Sequence, residues 1–294
     1  MTSTATATGR PVATAAVAAH RRRLLIRHTA RWLRTALAII FLAIMLFPVY
    51  WMVNTSLQPS GNTLSSTFFP AHPTLDGYRT AIHDQGQHLV TSLDISLGTV
   101  VVTLLVAAPA AYALAQFRFR WISWALLGIL ISQMIPGIVI ANGLYAIYER
   151  LGLLDSVPGL IIANAAATVP FGILIMRSFM LGVPPSIVEA ARVDGAGLLR
   201  SFLSIVVPIA RNSLITVGLF TFLWSWGDFL FALTLTSKGT VVPVTLGIYT
   251  YLGAHVANWG AVMSTAVLAS IPAILLLLVA QRYIAAGAVG GAVK

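Results

Sequence analysis

Residues 182–208 read GVPPSIVEAARVDGAGLLRSFLSIVVP. Pro184 and Pro185 stop a helix arriving from the N-terminal side, because proline lacks the N–H and its ring clashes with the preceding turn. Ser186 stands three residues before Glu189, the spacing of a capping box that starts a new helix. Ile187, Val188, Ala190 and Ala191 then predict a small apolar face, with Glu189 and Arg192 at polar positions. Asp194-Gly195 breaks that helix: Gly195 is free to take a positive φ, and Asp194 can cap the next helix. Residues 197–206 predict a second short helix that ends at Pro208. The segment therefore reads as a helical hairpin, not a linker. On these residues alone it serves equally well as a knob docking into a partner's groove or as an amphipathic connector between two spans.

Outward from the hairpin, the chain is apolar in runs of membrane length. Of its 294 residues 58% are hydrophobic and 9% charged, with a mean hydropathy of +0.88, far from the balance of a water-soluble domain. Six spans are predicted, at about 35–55, 89–115, 121–147, 157–180, 209–236 and 257–281, each long enough to cross a hydrocarbon core of about 30 Å. The third is broken near Pro136 and Gly137. Pro109, Pro170 and Pro272 lie within other spans, where neighbouring helices can satisfy the carbonyls that proline frees. The fold class is thus an all-α membrane protein of six transmembrane helices.

Charge sets the expected orientation. Lys and Arg number 18 against 8 Asp and Glu, a net +10. Fifteen of the basic residues fall on one side, including seven arginines before residue 35. Only Arg79, Arg150 and Lys238 fall on the other. The positive-inside rule then places both termini in the cytoplasm. The expected organisation is a basic cytoplasmic tail over 1–34, a membrane domain over 35–283 with its inner loop at 182–208, and a short cytoplasmic tail over 284–294. Residues 56–88 are expected to form the longest external loop, a polar one that carries His83 and His88.

The inventory excludes several classes of function. The chain has no cysteine, so it makes no disulfide and no thiolate metal site. Its six histidines show no ligand spacing, and no metal is expected. Its two lysines, Lys238 and Lys294, follow no glycine-rich phosphate loop, so ATP is not expected to bind here. No nucleophile–base set is present, hence no catalytic residue is expected. The scarce charge in an apolar chain also argues against nucleic acid. Asp228 is the acidic residue expected deep in a span, where an ionised carboxylate must face protein or water. It lies in LWSWGDFLFAL, among Trp224, Trp226, Phe229 and Phe231. Aromatic faces and a carboxylate suit a sugar, but the aromatics can equally pack on helices while Asp228 caps a break at Gly227. Gln133, Asn142, Tyr145 and Asn164 are further polar candidates for a path, or alternatively make interhelical hydrogen bonds.

One resemblance sharpens these readings. Glu189-Ala190-Ala191, three residues, Gly195, nine residues, Ile205, one residue and Val207-Pro208 resembles the EAA motif of permease subunits of ABC importers, with Val207 in place of the usual Leu. Further segments, in order, are Ala110–Gln116 (AAYALAQ), Met134-Ile135-Pro136, Leu151–Asp155 (LGLLD), Trp226–Leu233 (WGDFLFAL) and the tail ending GGAVK. Together they are similar to the carbohydrate-uptake type, in particular to the smaller membrane subunit of the maltose system. The departures are Gly227 for a frequent Asn, Asp228 for a common Glu, and Gly197 for Ser or Thr.

The resemblance implies a type I importer permease fold. It implies that Glu189, Ala190, Ala191, Asp194, Gly195 and Pro208 belong to coupling helices that dock into an ATPase subunit, and that the fifth span lines a translocation path. It implies four partners besides membrane lipid: a second, different permease, two ATP-binding cassette subunits and an external solute-binding protein. ATP and Mg would be bound by the cassette subunits and no cofactor by this chain. The implied function is ATP-driven import of a sugar, a di- or oligosaccharide. The alternatives are the same machinery for a non-sugar solute such as glycerol phosphate, or a stand-alone ion-coupled transporter.

Overall fold

A computed structural model describes residues 12–59, 67–117, 120–251 and 258–290, with side chains described from 32 to 281 within those ranges. Most of the basic tail, with Arg118, Arg282 and Lys294, lies outside the described side chains. The described residues are helices and their connections: α1 (Val12–Ser56), α2 (Asp76–Gln116), α3 (Ile122–Ser132), α4 (Gly137–Leu151), α5 (Val157–Met180), α6 (Pro185–Val193), α7 (Leu198–Ser201), a π-helical turn (Phe202–Val206), α8 (Val207–Ile209), α9 (Arg211–Trp226), α10 (Leu230–Leu235), α11 (Val244–Tyr251) and α12 (Trp259–Gly290).

The chain divides into two units, Met1–Asn54 and Thr55–Lys294. The described part of the first is a single helix whose apolar stretch is exposed from Trp32 to Tyr50, a surface suited to lipid rather than water. In the second unit α2 packs along α5, and α9 and α12 pack against α2. Small side chains allow this closeness. Gly172 of α5 faces Val217 of α9 and both Ala107 and Thr103 of α2, so that an added Cβ would lie 3.1 Å from Val217. Gly98 of α2 is likewise covered by Ile161 of α5. Ala107, Ala108 and Ala111 are buried where α2, α5 and α9 meet, with Met176, Val206 and Val217.

Among the described residues four helices are long and apolar enough to cross a membrane, and two bent pairs bring the total to six when each pair is one span. Several boundaries differ from the sequence expectation. The 56–88 region, expected as an external loop, is not a loop throughout: α2 begins at Asp76, so His83 and His88 are helical. Asp76 in the first turn complements the helix dipole, and Thr74 Oγ1 accepts its N–H at 3.4 Å. The third span breaks where expected, in a 93° corner between α3 and α4, with Pro136 as the N-cap of α4. Pro109, Pro170 and Pro272 stay inside continuous helices. The fifth span is not continuous either, because α9 stops at Trp226 and α10 starts at Leu230.

Candidate functional site

The hairpin forms, but by different means from those its sequence suggests. Pro184 is the N-cap of α6 and Pro185 its first residue, whose fixed φ suits that position. Ser186 is thereby drawn inside the first turn, and no side chain caps the helix. The expected capping box is absent, which leaves Glu189 exposed with its carboxylate free for a partner. At the other end of α6, Gly195 adopts φ +87°. Its N–H donates to the Arg192 carbonyl at 3.1 Å, and the Ala196 N–H donates to the Ala191 carbonyl at 2.9 Å. These two bonds are a Schellman closure, which satisfies the last carbonyls with backbone alone. Asp194 is the C-cap of α6 rather than a cap for the next helix; Gly197 takes that place, three residues nearer to α7.

The second arm is longer than expected. It runs from Leu198 through the π turn to Ile209, so Pro208 does not end it. Pro208 has no N–H to give Ser204, and the turn ahead of it widens: Val207 N–H donates to Phe202, five residues back. Ala210 then breaks the arm from α9 at 79°. Val188, Phe202 and Val206 are buried against Tyr112, Met176 and Met180, with the Phe202 and Tyr112 ring centroids 5.2 Å apart. This splits the expected apolar face, with Val188 facing inward while Ile187 and Ala190 face outward. Val193 is 88% exposed and Leu199 70%, on either side of the Gly195 turn. Sequence reading missed these two, because their helix phase relative to the bundle depends on how the hairpin seats.

The second candidate region is the break in the fifth span. Gly227 closes α9, and the Asp228 carboxylate then caps α10, accepting the N–H of Phe231 at 3.1 Å and of Ala232 at 3.2 Å. Asn164 of α5 donates to the same carboxylate at 3.5 Å and to the Leu160 carbonyl at 3.0 Å. Thr245 donates to the Asp228 carbonyl at 2.6 Å. The structure thus brings Asp228 and Asn164 together. It does not gather the other polar and aromatic candidates around them. Trp226 is buried, stacked on Phe222, and donates its indole N–H to Ala269. Trp224 is 59% exposed on the outer side of α9. Gln133 lies exposed at the α3–α4 corner, and Asn142 and Tyr145 on the open side of α4. Asp94 is a further acidic residue inside α2, exposed, whereas Asp228 is half-buried, so Asp228 is distinguished by its contacts rather than by being the sole acid.

Residues 90–289 match the family described as the binding-protein-dependent transport system inner membrane component. The chain belongs to that family. It is a permease component, which carries no catalysis of its own, and a multi-pass membrane protein that works with other transporter subunits. It is 36% identical to a probable ABC transporter permease of Sinorhizobium fredii, over 91% of this chain and 97% of that one. It is 31% identical to a trehalose transport system permease of Mycobacterium tuberculosis, over 85% and 92%. Among solved structures it resembles a bacterial ABC transporter involved in import of the acidic polysaccharide alginate, with a TM-score of 0.75 at 22% identity over 87% of this chain and 96% of that one. The fold is that of a type I importer permease.

Two further features of this permease were not foreseen. Ser92, Ser96, Thr99 and Thr103 recur along one buried face of α2. Thr99 is 3.2 Å from Ser225 of α9, and Thr103 is 2.8 Å from Thr168 of α5. The four-three-four spacing was the available signal. The LGLLD segment, noted only as part of a resemblance, turns out to be a clamp. Asp155, at φ +53°, accepts the Lys238 N–H at 2.6 Å and the Ser237 hydroxyl at 3.2 Å, while its own N–H donates to Leu235. It ties the α4–α5 turn to the chain after α10.

Proposed function

We propose that this permease is one membrane subunit of an ATP-driven sugar importer. In this reading the hairpin and both termini lie in the cytoplasm, as the distribution of arginines favours. It works beside a second, different permease, two ATP-binding cassette subunits that hold ATP and Mg, and an external solute-binding protein; the chain itself binds no cofactor. The observation that carries the reading is the hairpin. Glu189, Val193 and Leu199 project from a rigid, self-closed turn on a chain of this family, an apolar and acidic surface of the kind that docks into a cleft. Burying a leucine-sized side chain contributes about 1.5–3 kcal/mol, enough for each to matter to docking. Glu189, Ala190, Ala191, Asp194 and Gly195 form this turn, and Pro208 sets the second arm.

The solute is a sugar, a di- or oligosaccharide, on the strength of relatives named for trehalose transport and a neighbour named for alginate import. Asp228 and Asn164 form the polar centre beside its path, with Trp224, Gln133, Asn142 and Tyr145 open to the remaining walls and Trp226 supporting from behind. The test is reconstitution of the complete transporter in proteoliposomes with its binding protein, assayed for ATP hydrolysis against a panel of solutes. Stimulation by a disaccharide or oligosaccharide is expected. Stimulation by glycerol phosphate alone, or uptake driven by an ion gradient without ATP, would overturn it.

A further inference from the structure

The hairpin is joined by the chain to α5 and α9, yet its firmest polar contact is with neither. Gln116, the last residue of α2, donates through its amide to the Met180 carbonyl at 3.2 Å and to the Val183 carbonyl at 3.2 Å. These carbonyls flank the point where the chain leaves α5 for α6. Pro184 and Pro185 have no N–H, so the entrance to α6 has two fewer backbone donors of its own. Met180 and Val183 are buried; the Met180 carbonyl also accepts the Val183 N–H at 3.1 Å, so Gln116 is its second donor, and Gln116 gives the Val183 carbonyl the partner a buried carbonyl needs. One turn earlier, Leu114 of α2 accepts the Arg177 Nε–H of α5 at 3.1 Å. Tyr112, on the same end of α2, packs against Phe202 of the second arm. One helix end therefore holds the root of the hairpin and its second arm.

This helix, α2, is the longest of the second unit. At about 1.5 Å per residue α2 extends about 60 Å, and its far end is packed as closely as its near end. Gly77 lies against Gly260 and Ser264 of α12, with an added Cβ only 2.9 Å from the Gly260 carbonyl oxygen. Gly247 of α11 sits beneath Gln85 and His88, and the Val244 N–H donates to Ser92 at 2.8 Å. Neither end has room to slip without moving its neighbours.

We propose that Gln116 is a positioning residue for transport. It ties the coupling hairpin to α2, so that the stroke received at the hairpin passes to α2, and through it to α11 and α12, as well as directly to α5 and α9. This rests on the coupling role assigned to the hairpin above. Gln116→Met keeps the length and apolar stem of the side chain but donates nothing. Gln116→Arg restores donors that reach the same carbonyls.

The experiment uses the complete transporter in proteoliposomes and reads sugar accumulated per ATP hydrolysed, with complex recovery and basal ATP hydrolysis alongside. In Gln116→Met the ratio is expected to fall by about fivefold or more, the scale of one or two lost part-buried hydrogen bonds, at undiminished basal hydrolysis. Gln116→Arg is expected to return it to within about twofold of the wild type. A general packing defect would lower recovery and basal hydrolysis together and would not be rescued by arginine. A second reading does not depend on assembly. The chain contains no cysteine, so spin labels at Leu105→Cys and Arg200→Cys report the hairpin-to-α2 distance in the full chain in lipid nanodiscs. Gln116→Met is expected to broaden that distribution and Gln116→Arg to narrow it again. A wild-type ratio and distance in Gln116→Met, or failure of arginine to rescue, overturns the proposal. If the wild-type complex shows no solute-stimulated hydrolysis, the transport reading fails, while the spin-label result still judges the tie.

Discussion

The chain breaks its helices in two informative places, at Asp194–Gly197 in the hairpin and at Gly227–Phe229 in the fifth span, and the breaks are healed differently. Both place a glycine beside an aspartate. In the hairpin the glycine does the work: Gly195 at φ +87° lets two backbone N–H groups return to the carbonyls of α6, and the Asp194 side chain stays exposed. In the span the aspartate does it: Asp228 supplies the acceptor for two N–H groups of α10, and Gly227 sits at φ −86° like any residue. Water can finish what the hairpin leaves open. Within the membrane segment nothing else is available to an orphaned N–H, so a side chain must take it. A surface break can therefore offer its side chains to a partner, whereas a break within a span uses them to hold itself together.

The comparison can be broken most severely at Asp228. Asp228→Ala removes the acceptor for Phe231, Ala232 and Asn164 at once. Each orphaned buried donor costs about 1–3 kcal/mol, so a loss of about 3 kcal/mol or more is expected, read as a lower thermal midpoint in detergent. Asp228→Asn keeps one acceptor oxygen and is expected to lose about half as much. A stable Asp228→Ala protein would show that the break is not held by its aspartate.

The outward face of the hairpin comes next. Leu199→Glu is expected to weaken binding of the ATPase subunit by about tenfold, measured by co-purification at rising salt, with the amount of permease in the membrane unchanged. Gly195→Ala attacks the backbone of the same turn. A left-handed conformation costs a non-glycine residue about 1–2 kcal/mol, so the turn is expected to loosen and coupled ATP turnover to fall several-fold while the bundle stays folded. If Gly195→Ala is as damaging to the thermal midpoint as Asp228→Ala, the contrast between the two breaks is wrong. The smallest effect is expected at Asp155→Ala, about 1 kcal/mol for a half-exposed clamp. Faster proteolysis within 237–240 is the measurement that checks it.

Much of this was legible in the sequence, for identifiable reasons. The runs of apolar residues set the spans within a few positions, and Val157–Met180 falls where it was expected, because length and hydropathy are local quantities. Gly195 as a turn and Asp228 as a cap were both open to reading from residue type. The errors in the hairpin share one cause. The Ser186 cap, the Asp194 cap and the end at Pro208 were each assigned from a motif of three or four residues. Which residue becomes the cap depends on where the helix is pushed to start. Here Pro184-Pro185 and the burial of Val188 and Phe202 set that start. The polar extension of α2 was missed because a helix outside the hydrocarbon leaves no apolar run to detect.

The sequence by itself determined that this is a membrane-spanning chain with a rigid hairpin between its fourth and fifth spans. Apolar length, proline and glycine act on their own neighbourhood. Only the tertiary structure decided which faces those elements turn to each other. It placed Val193 and Leu199 outward and brought Asn164 to Asp228 across sixty-four residues. It also set the end of α2 against the root of the hairpin through Gln116. Such pairings depend on helix phase and crossing, which are settled by how closely glycines and alanines let α2, α5 and α9 approach.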